Sequence, residues 1–141
     1  MPIVANIRVL MADTDAMGIV YHANYLRWFE VGRAELVRAA GLPYVEMEKM
    51  GLALPVIEAR LRYKASARYD DVLTIDTRVL EFGRVRVNFH YRVAREGDET
   101  LLCEGETFHA CIDRAGKIAR FPERVRAALE VAQARSELTP G

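Results

Sequence analysis

Between Asp13 and Asn24 the chain carries two carboxylates one residue apart, Asp13 and Asp15, followed by Gly18, His22 and Asn24. Asp and Gly are poor strand and helix formers, so this stretch reads as a loop. From Asn24 to Ala40 there is no proline and a single glycine, Gly32, so a long helix follows. A carboxylate is therefore set just ahead of a helix start, where backbone N–H groups lack partners and the helix dipole favours negative charge. If Asp15 folds back toward the N–H groups near His22, Ala23 and Asn24, a carbonyl held between them meets a base or nucleophile on one side and oxyanion donors on the other. The reaction class this suggests is acyl transfer.

Each of these residues also has a plainer reading. A loop Asp ahead of a helix often closes an Asx-turn, Asn24 suits a helix N-cap, and a lone His is commonly a surface or packing residue. Asp13 reads as a loop or network residue. Glu30 has Arg27 and Arg33 at helical spacing, which makes a surface ion pair its default. His22, His90 and His109 lie far apart in sequence and no Cys/His pair has ligand spacing, so no metal site is expected. There is no G-x-S-x-G elbow and no Gly-rich phosphate loop. A hydrolase that needs no cofactor fits these features.

The elements that must hold the loop follow from periodicity. Stepping about 100° per residue along 24–40 places Trp28, Ala39, Gly32, Tyr25, Leu36, Phe29 and Ala40 on one arc. Arg27, Glu30, Arg33, Glu35 and Arg38 take the remainder. The small residues allow close approach to another element, so the helix reads as lying on a sheet. Ile3 to Met11 alternates as a half-buried strand. Gly41 and Pro43 stop the helix, and 43–50 suits one further short helical stretch. Leu52 to Ala65 reads as a strand that is irregular at Pro55, and Asp70-Asp71 as a turn before a strand over 72–80. In Arg84 to Val93, Val85, Val87, Phe89, Tyr91 and Val93 alternate with polar partners, one face buried and one wet. Thr100 to Asp113 returns as the next strand after the polar 96–99 hairpin, and Pro122 introduces a terminal helix over 123–136. The expected total is α+β: one early strand, a long helix, four antiparallel strands in a meander and a C-terminal helix, all in one domain spanning 1–141.

Twenty basic residues balance twenty acidic ones in a chain that is 51% hydrophobic, so no net field favours nucleic acid or a membrane surface. No segment has the apolar length to insert across a bilayer, and the first residues lack a secretory pattern, so a cytoplasmic location is expected. Cys103 and Cys111 lie eight residues apart in one expected strand, too far for a comfortable disulfide, and read as reduced core thiols.

Asp13-Thr14-Asp15-Ala16-Met17-Gly18-Ile19-Val20-Tyr21-His22-Ala23-Asn24-Tyr25-Leu26-Arg27-Trp28-Phe29-Glu30 resembles the signature of hot-dog-fold acyl-CoA thioesterases of the 4-hydroxybenzoyl-CoA thioesterase type, in particular their Tol-Pal-associated branch. Ala67-Arg68-Tyr69-Asp70-Asp71-Val72-Leu73-Thr74-Ile75 resembles the same family's next strand entry. The resemblance implies a hot-dog fold, a curved antiparallel sheet wrapped around one helix. It also implies hydrolysis of an acyl-CoA thioester, with Asp15 as the catalytic carboxylate and the His22 N–H as oxyanion donor. The His22 imidazole, which belongs to the Tol-Pal-associated branch, would orient Asp15 or water. Gly18, Asn24 and Tyr25 are the expected substrate contacts. Coenzyme A phosphates call for basic residues at the pocket mouth, and Arg62, Lys64, Arg68, Arg84 and Arg86 qualify, with Arg84 first because it follows the turn at Gly83. A homodimer or homotetramer with shared sites is implied. Two other readings stay open: a hot-dog hydratase or dehydratase acting on acyl-carrier-protein thioesters through Glu30, and a non-catalytic acyl-CoA binding module.

Overall fold

The computed structural model describes residues 4–137. Its elements are β1 (Val4–Arg8), α1 (Asn24–Ala39), α2 (Tyr44–Lys49), β2 (Val56–Tyr63), β3 (Val72–Phe82), β4 (Arg86–Arg95), β5 (Leu101–Ala110) and α3 (Glu123–Glu137), with one 3-10 turn at Met11–Asp13. The start of the first expected strand, at Ile3, lies outside the described residues. All five strands form one antiparallel sheet in the order β1-β3-β4-β5-β2.

That order corrects the expected four-strand meander. Only β3, β4 and β5 are consecutive neighbours; β2 pairs with β5 at the far edge. The expected turn at Asp70-Asp71 is present, the Asp71 N–H donating to the Arg68 carbonyl at 3.2 Å, but it pairs with Val9 on the β1 side, Val9 N–H to Asp71 O and Asp70 N–H to Val9 O at 2.9 Å each. The 64–71 segment instead crosses from one edge of the sheet to the other. On the way Ala67 accepts the Val20 N–H at 2.9 Å, which fastens it to the loop ahead of α1.

Helix α1 lies on β3 and β1 and touches β4, while α3 lies beside it on β3. Tyr25, Trp28, Phe29, Leu36 and Val37 are buried against the sheet, and the Phe29 ring stacks on Tyr91 at 4.1 Å and 2°. Contact is closest at Gly32, where a Cβ would fall 2.2 Å from Thr77 Oγ1 and 2.7 Å from Ile75 Cγ2. The strand faces of β4 follow the alternation, with Val87, Phe89, Tyr91 and Val93 fully buried. Cys103 and Cys111 are buried free thiols, and burial pushes the Cys103 thiol up to about 12.

Two features depart from simple patterning. Strand β2 has both faces largely open to solvent, because α1 covers the opposite side of the sheet. Arg33, on the arc expected to be polar, is only 9% exposed. Gly105 fixes β2 to its neighbour: a Cβ there would lie 2.2 Å from the Arg60 carbonyl oxygen and 3.1 Å from Phe29 Cε2. A backbone oxygen in a paired strand yields less readily than a side-chain end. Gly105→Ala is therefore expected to destabilise the fold by about 1–3 kcal/mol, measured by urea unfolding.

Candidate functional site

The loop ahead of α1 is a narrow turn. Thr14 and Val20 form an antiparallel bridge, and the Asp15 N–H donates to the Ile19 carbonyl at 2.9 Å. The Asp15 carbonyl accepts the Gly18 N–H at 2.9 Å, and Gly18 stands at φ +77°, a conformation that a side chain makes costly. The half-buried Asp15 accepts the Met17 N–H on Oδ1 at 2.8 Å, the Asx-turn bond. Its second oxygen has no partner among the described residues.

Asp13 has the opposite surroundings. It is buried, its Oδ1 is 2.5 Å from Arg27 Nη2, and its Oδ2 accepts the Leu10 N–H at 2.8 Å. Its carbonyl accepts both the Tyr21 N–H at 2.9 Å and the Asn24 side-chain amide at 2.8 Å. Asp13 thus binds the loop to the helix start, with both carboxylate oxygens already engaged. Asn24 is accordingly not the N-cap: Ala23 holds that position at helical angles, without a side-chain cap, and Asn24 is the first helical residue, its amide committed to Asp13.

At the helix start the Asn24 N–H donates to the Tyr21 carbonyl at 3.0 Å, whereas the N–H groups of His22 and Ala23 have no partner among the described residues. The structure thus leaves two of the three expected oxyanion donors available. The His22 ring is exposed, 4.4 Å from the Tyr21 ring, and its carbonyl accepts the Tyr63 hydroxyl at 3.0 Å. Tyr63 thereby ties the end of β2 to the loop. Tyr25 sits in the core, 3% exposed, edge-on to Trp28 at 5.2 Å and to Tyr63 at 5.6 Å, and its phenol is pushed up to about 12, chiefly by burial. It can form the wall behind a substrate but not the open surface.

The basic residues separate by what already holds them. Arg62 lies between Glu106 at 3.0 Å and Glu104 at 3.5 Å, which raises its pKa and compensates its charge. Arg84 and Lys64 are exposed and make no ion pair among the described residues. Arg86 lines a cleft of about 460 Å³ at the β3–β4 turn. Arg68 is the cation the structure brings to the loop, its Nη1 lying 3.9 Å from where a Gly18 Cβ would stand. Glu30 is an exposed surface residue, 3.9 Å from Arg33 Nη2, and Arg27 pairs with Asp13 rather than with it.

Sequence reasoning missed a second polar assembly. Arg33 Nη1 donates to the Tyr91 hydroxyl at 3.5 Å, Tyr91 and Thr107 hydroxyls are 2.6 Å apart, Thr107 Oγ1 is 2.7 Å from His109 Nε2, and His109 Nδ1 is 3.0 Å from the Leu54 carbonyl. An arginine only donates and a carbonyl only accepts, so the chain has one direction. Tyr91 donates to Thr107, Thr107 to Nε2, and a neutral His109 donates from Nδ1 to Leu54. The helical wheel held a signal for it, since stepping about 100° per residue puts Arg33 between Ala40 and Leu26, apolar on both sides.

Desolvation lowers the His109 pKa from its ordinary 6.5 to about 4. Between those values the unfolded chain binds more protons than the folded one, so stability rises with pH across that window and is lost as pH falls through it. His109 alone accounts for a loss on the order of 3 kcal/mol. His109→Gln, which keeps a donor and an acceptor but does not titrate, is expected to flatten the unfolding free energy over the same window.

A five-stranded antiparallel sheet with α1 packed on β1 and β3 and α3 beside it is a hot-dog fold of the thioesterase class. The chain belongs to the thioesterase-like superfamily, whose profile matches residues 9–129. It is 35% identical over 125 residues to the acyl-CoA thioesterase YbgC of Haemophilus influenzae, covering 86% of this chain and 90% of that one. Among solved structures it is similar to the hypothetical protein TT1821 of Thermus thermophilus, with a TM-score of 0.86 and 40% identity over 92% of this chain and 98% of that one. It also resembles the DHNA-CoA thioesterase of Staphylococcus aureus, with a TM-score of 0.87 and 31% identity over 98% and 95%. No helix among the described residues is long and apolar enough to cross a membrane.

Proposed function

We propose that this chain hydrolyses an acyl-CoA thioester to a free acid and coenzyme A, with Asp15 as the reacting carboxylate. The observation that carries this is the contrast between the two acids: Asp13 is engaged by Arg27 and the Leu10 N–H, while Asp15 keeps one oxygen without a partner among the described residues, in the turn that leads to a helix start whose His22 and Ala23 N–H groups are likewise unpartnered. The thioester carbonyl oxygen would sit on the His22 and Ala23 N–H groups, with Gly18 admitting the acyl carbon close to the backbone. Asp15 then either attacks that carbon to give a mixed anhydride, expelling the coenzyme A thiolate, or takes a proton from an attacking water. A single turnover in isotopically heavy water distinguishes the two, since label on Asp15 marks direct attack. Arg84 and Lys64, uncommitted to ion pairs, are the proposed phosphate contacts; Arg62 would join them only by leaving Glu104 and Glu106. A panel of short, long and aromatic acyl-CoA esters assayed for released thiol tests the assignment, and no release from any of them would refute it. Coenzyme A rather than an acyl carrier protein is the proposed carrier.

The open β2 edge supports a shared site. Its exposed Val56, Ile57 and Tyr63 and unpaired backbone favour pairing with a second copy, and Tyr63 links that edge to the Asp15 loop. We propose a homodimer, with further pairing into a homotetramer, and elution as a monomer on gel filtration would exclude both. The resemblance of the 13–30 stretch to the Tol-Pal-associated signature supports placement in that branch, and we propose a cytoplasmic location.

A further inference from the structure

A cleft of about 580 Å³, within the range of small-ligand sites, opens between α1, α2 and the segment leading into β2. No residue of the Asp15 loop lines it. Arg33, Tyr44, Glu30 and Glu48 form its polar part, and Ala34, Met47, Leu52 and Leu54 much of its apolar part. Both ends of the buried hydrogen-bonded chain, the Arg33 guanidinium and Leu54, therefore belong to one cleft.

We infer that this cleft is a binding site for a small organic acid with a compact apolar body, its carboxylate lying on Arg33 and the Tyr44 hydroxyl.

A buried guanidinium without a close carboxylate is costly. Among the described residues Arg33 has the Tyr91 hydroxyl at 3.5 Å, the neighbouring Tyr44 and the outlying Glu30 at 3.9 Å, whose side chain is 69% exposed. Several of its N–H groups are thus left for a ligand. Tyr44 is the second observation: its hydroxyl is buried against the Arg33 guanidinium and has no other partner among the described residues. Burial raises its pKa more than Arg33 lowers it, so it remains a protonated donor. The two groups together offer the paired donors that a carboxylate accepts. Tyr91 cannot serve instead, because its proton is committed to Thr107, and that commitment holds Arg33 in place. Glu30 and Glu48 at the cleft favour a monoanion over phosphate, whose second charge they would repel.

The carboxylate can come from two sources. One is a free acid, the product class of thioester hydrolysis. The other, which rests on the thioesterase reading, is the distal carboxylate of a dicarboxylic acyl thioester. Titration of the full chain with benzoate, hexanoate and inorganic phosphate tests the first. Either acid should bind and phosphate should not, with affinity about 10-fold or more weaker in Arg33→Met and several-fold weaker in Tyr44→Phe. Tyr44→Phe removes a hydroxyl whose one polar neighbour is Arg33 and leaves the Arg33 bond to Tyr91 in place, so its unfolding midpoint should stay close to the parent's, which separates ligand recognition from a structural role. For the second source, the ratio of kcat/KM for glutaryl-CoA to that for butyryl-CoA should fall in Tyr44→Phe. If neither acid binds and that ratio is unchanged, or if binding is the same in both variants as in the parent, the inference is overturned. Loss of all thioester hydrolysis with acid binding intact would refute the thioesterase reading and leave this one standing.

Discussion

Asp15→Asn is expected to lower kcat for acyl-CoA hydrolysis by at least about 100-fold, whether the carboxylate acts as base or nucleophile. The substitution is nearly isosteric, and its oxygen can still accept the Met17 N–H that closes the turn, so the midpoint of thermal unfolding should hardly move. Asp13→Asn should behave in the reverse sense. It takes the charge from a buried carboxylate that pairs with the exposed Arg27 and weakens the bond from the Leu10 N–H, at an expected cost of about 1–3 kcal/mol. The pair of variants, assayed for thiol release and for unfolding side by side, therefore assigns chemistry to one acid and architecture to the other. A folded Asp15→Asn protein that turns over every ester at the parental rate would end the assignment.

Gly32→Ala is expected to destabilise the protein by about 2 kcal/mol, although alanine is the better helix former by about 1 kcal/mol. Packing outweighs propensity here because the new Cβ meets Thr77 Oγ1 at 2.2 Å and Ile75 Cγ2 at 2.7 Å, both on β-branched side chains that rotate poorly within a sheet. To make room, α1 must rise from β3, displacing the helix start next to the proposed oxyanion donors His22 and Ala23. Thr77→Ala alone should be nearly neutral, since the Thr77 hydroxyl is buried without a partner. Combined with Gly32→Ala it should recover part of the loss, because the nearer of the two clashes is gone. Urea unfolding of the four proteins gives the coupling energy, and strict additivity would show that Thr77 is not what α1 rests on.

Local pattern was sufficient wherever one neighbour decides a residue's surroundings. The strict alternation of Val87, Phe89, Tyr91 and Val93 specified the buried face of β4, and the run from Asn24 to Ala39 without proline specified α1. Gly32 was legible as a close-approach point because it stands in the middle of an apolar arc. The order of the strands was not legible. Pairing of β2 with β5 rather than β3 depends on where the 64–71 segment finds backbone partners, and those lie on Val9, Val20 and Leu102, remote in sequence. Arg33 was assigned to solvent because its type outweighed its position, and only the arrival of α2 with Tyr44 and the chain through Tyr91 encloses it.

The sequence by itself determined the α+β composition, the extent of the long helix and the presence of a carboxylate turn before it, because each depends on residues within a few positions of one another. Tertiary structure decided which of the two aspartates is spent, which edge strand stays open, and which arginine is buried. These turn on partners far along the chain: Asp13 is taken by Arg27 and Leu10, β2 is left uncovered by a helix that lies on β1 and β3, and Arg33 is enclosed by residues from α2 and β4. A side chain's chemistry can be read from its identity, but whether that chemistry is free to act depends on what the folded chain has already given it to hold.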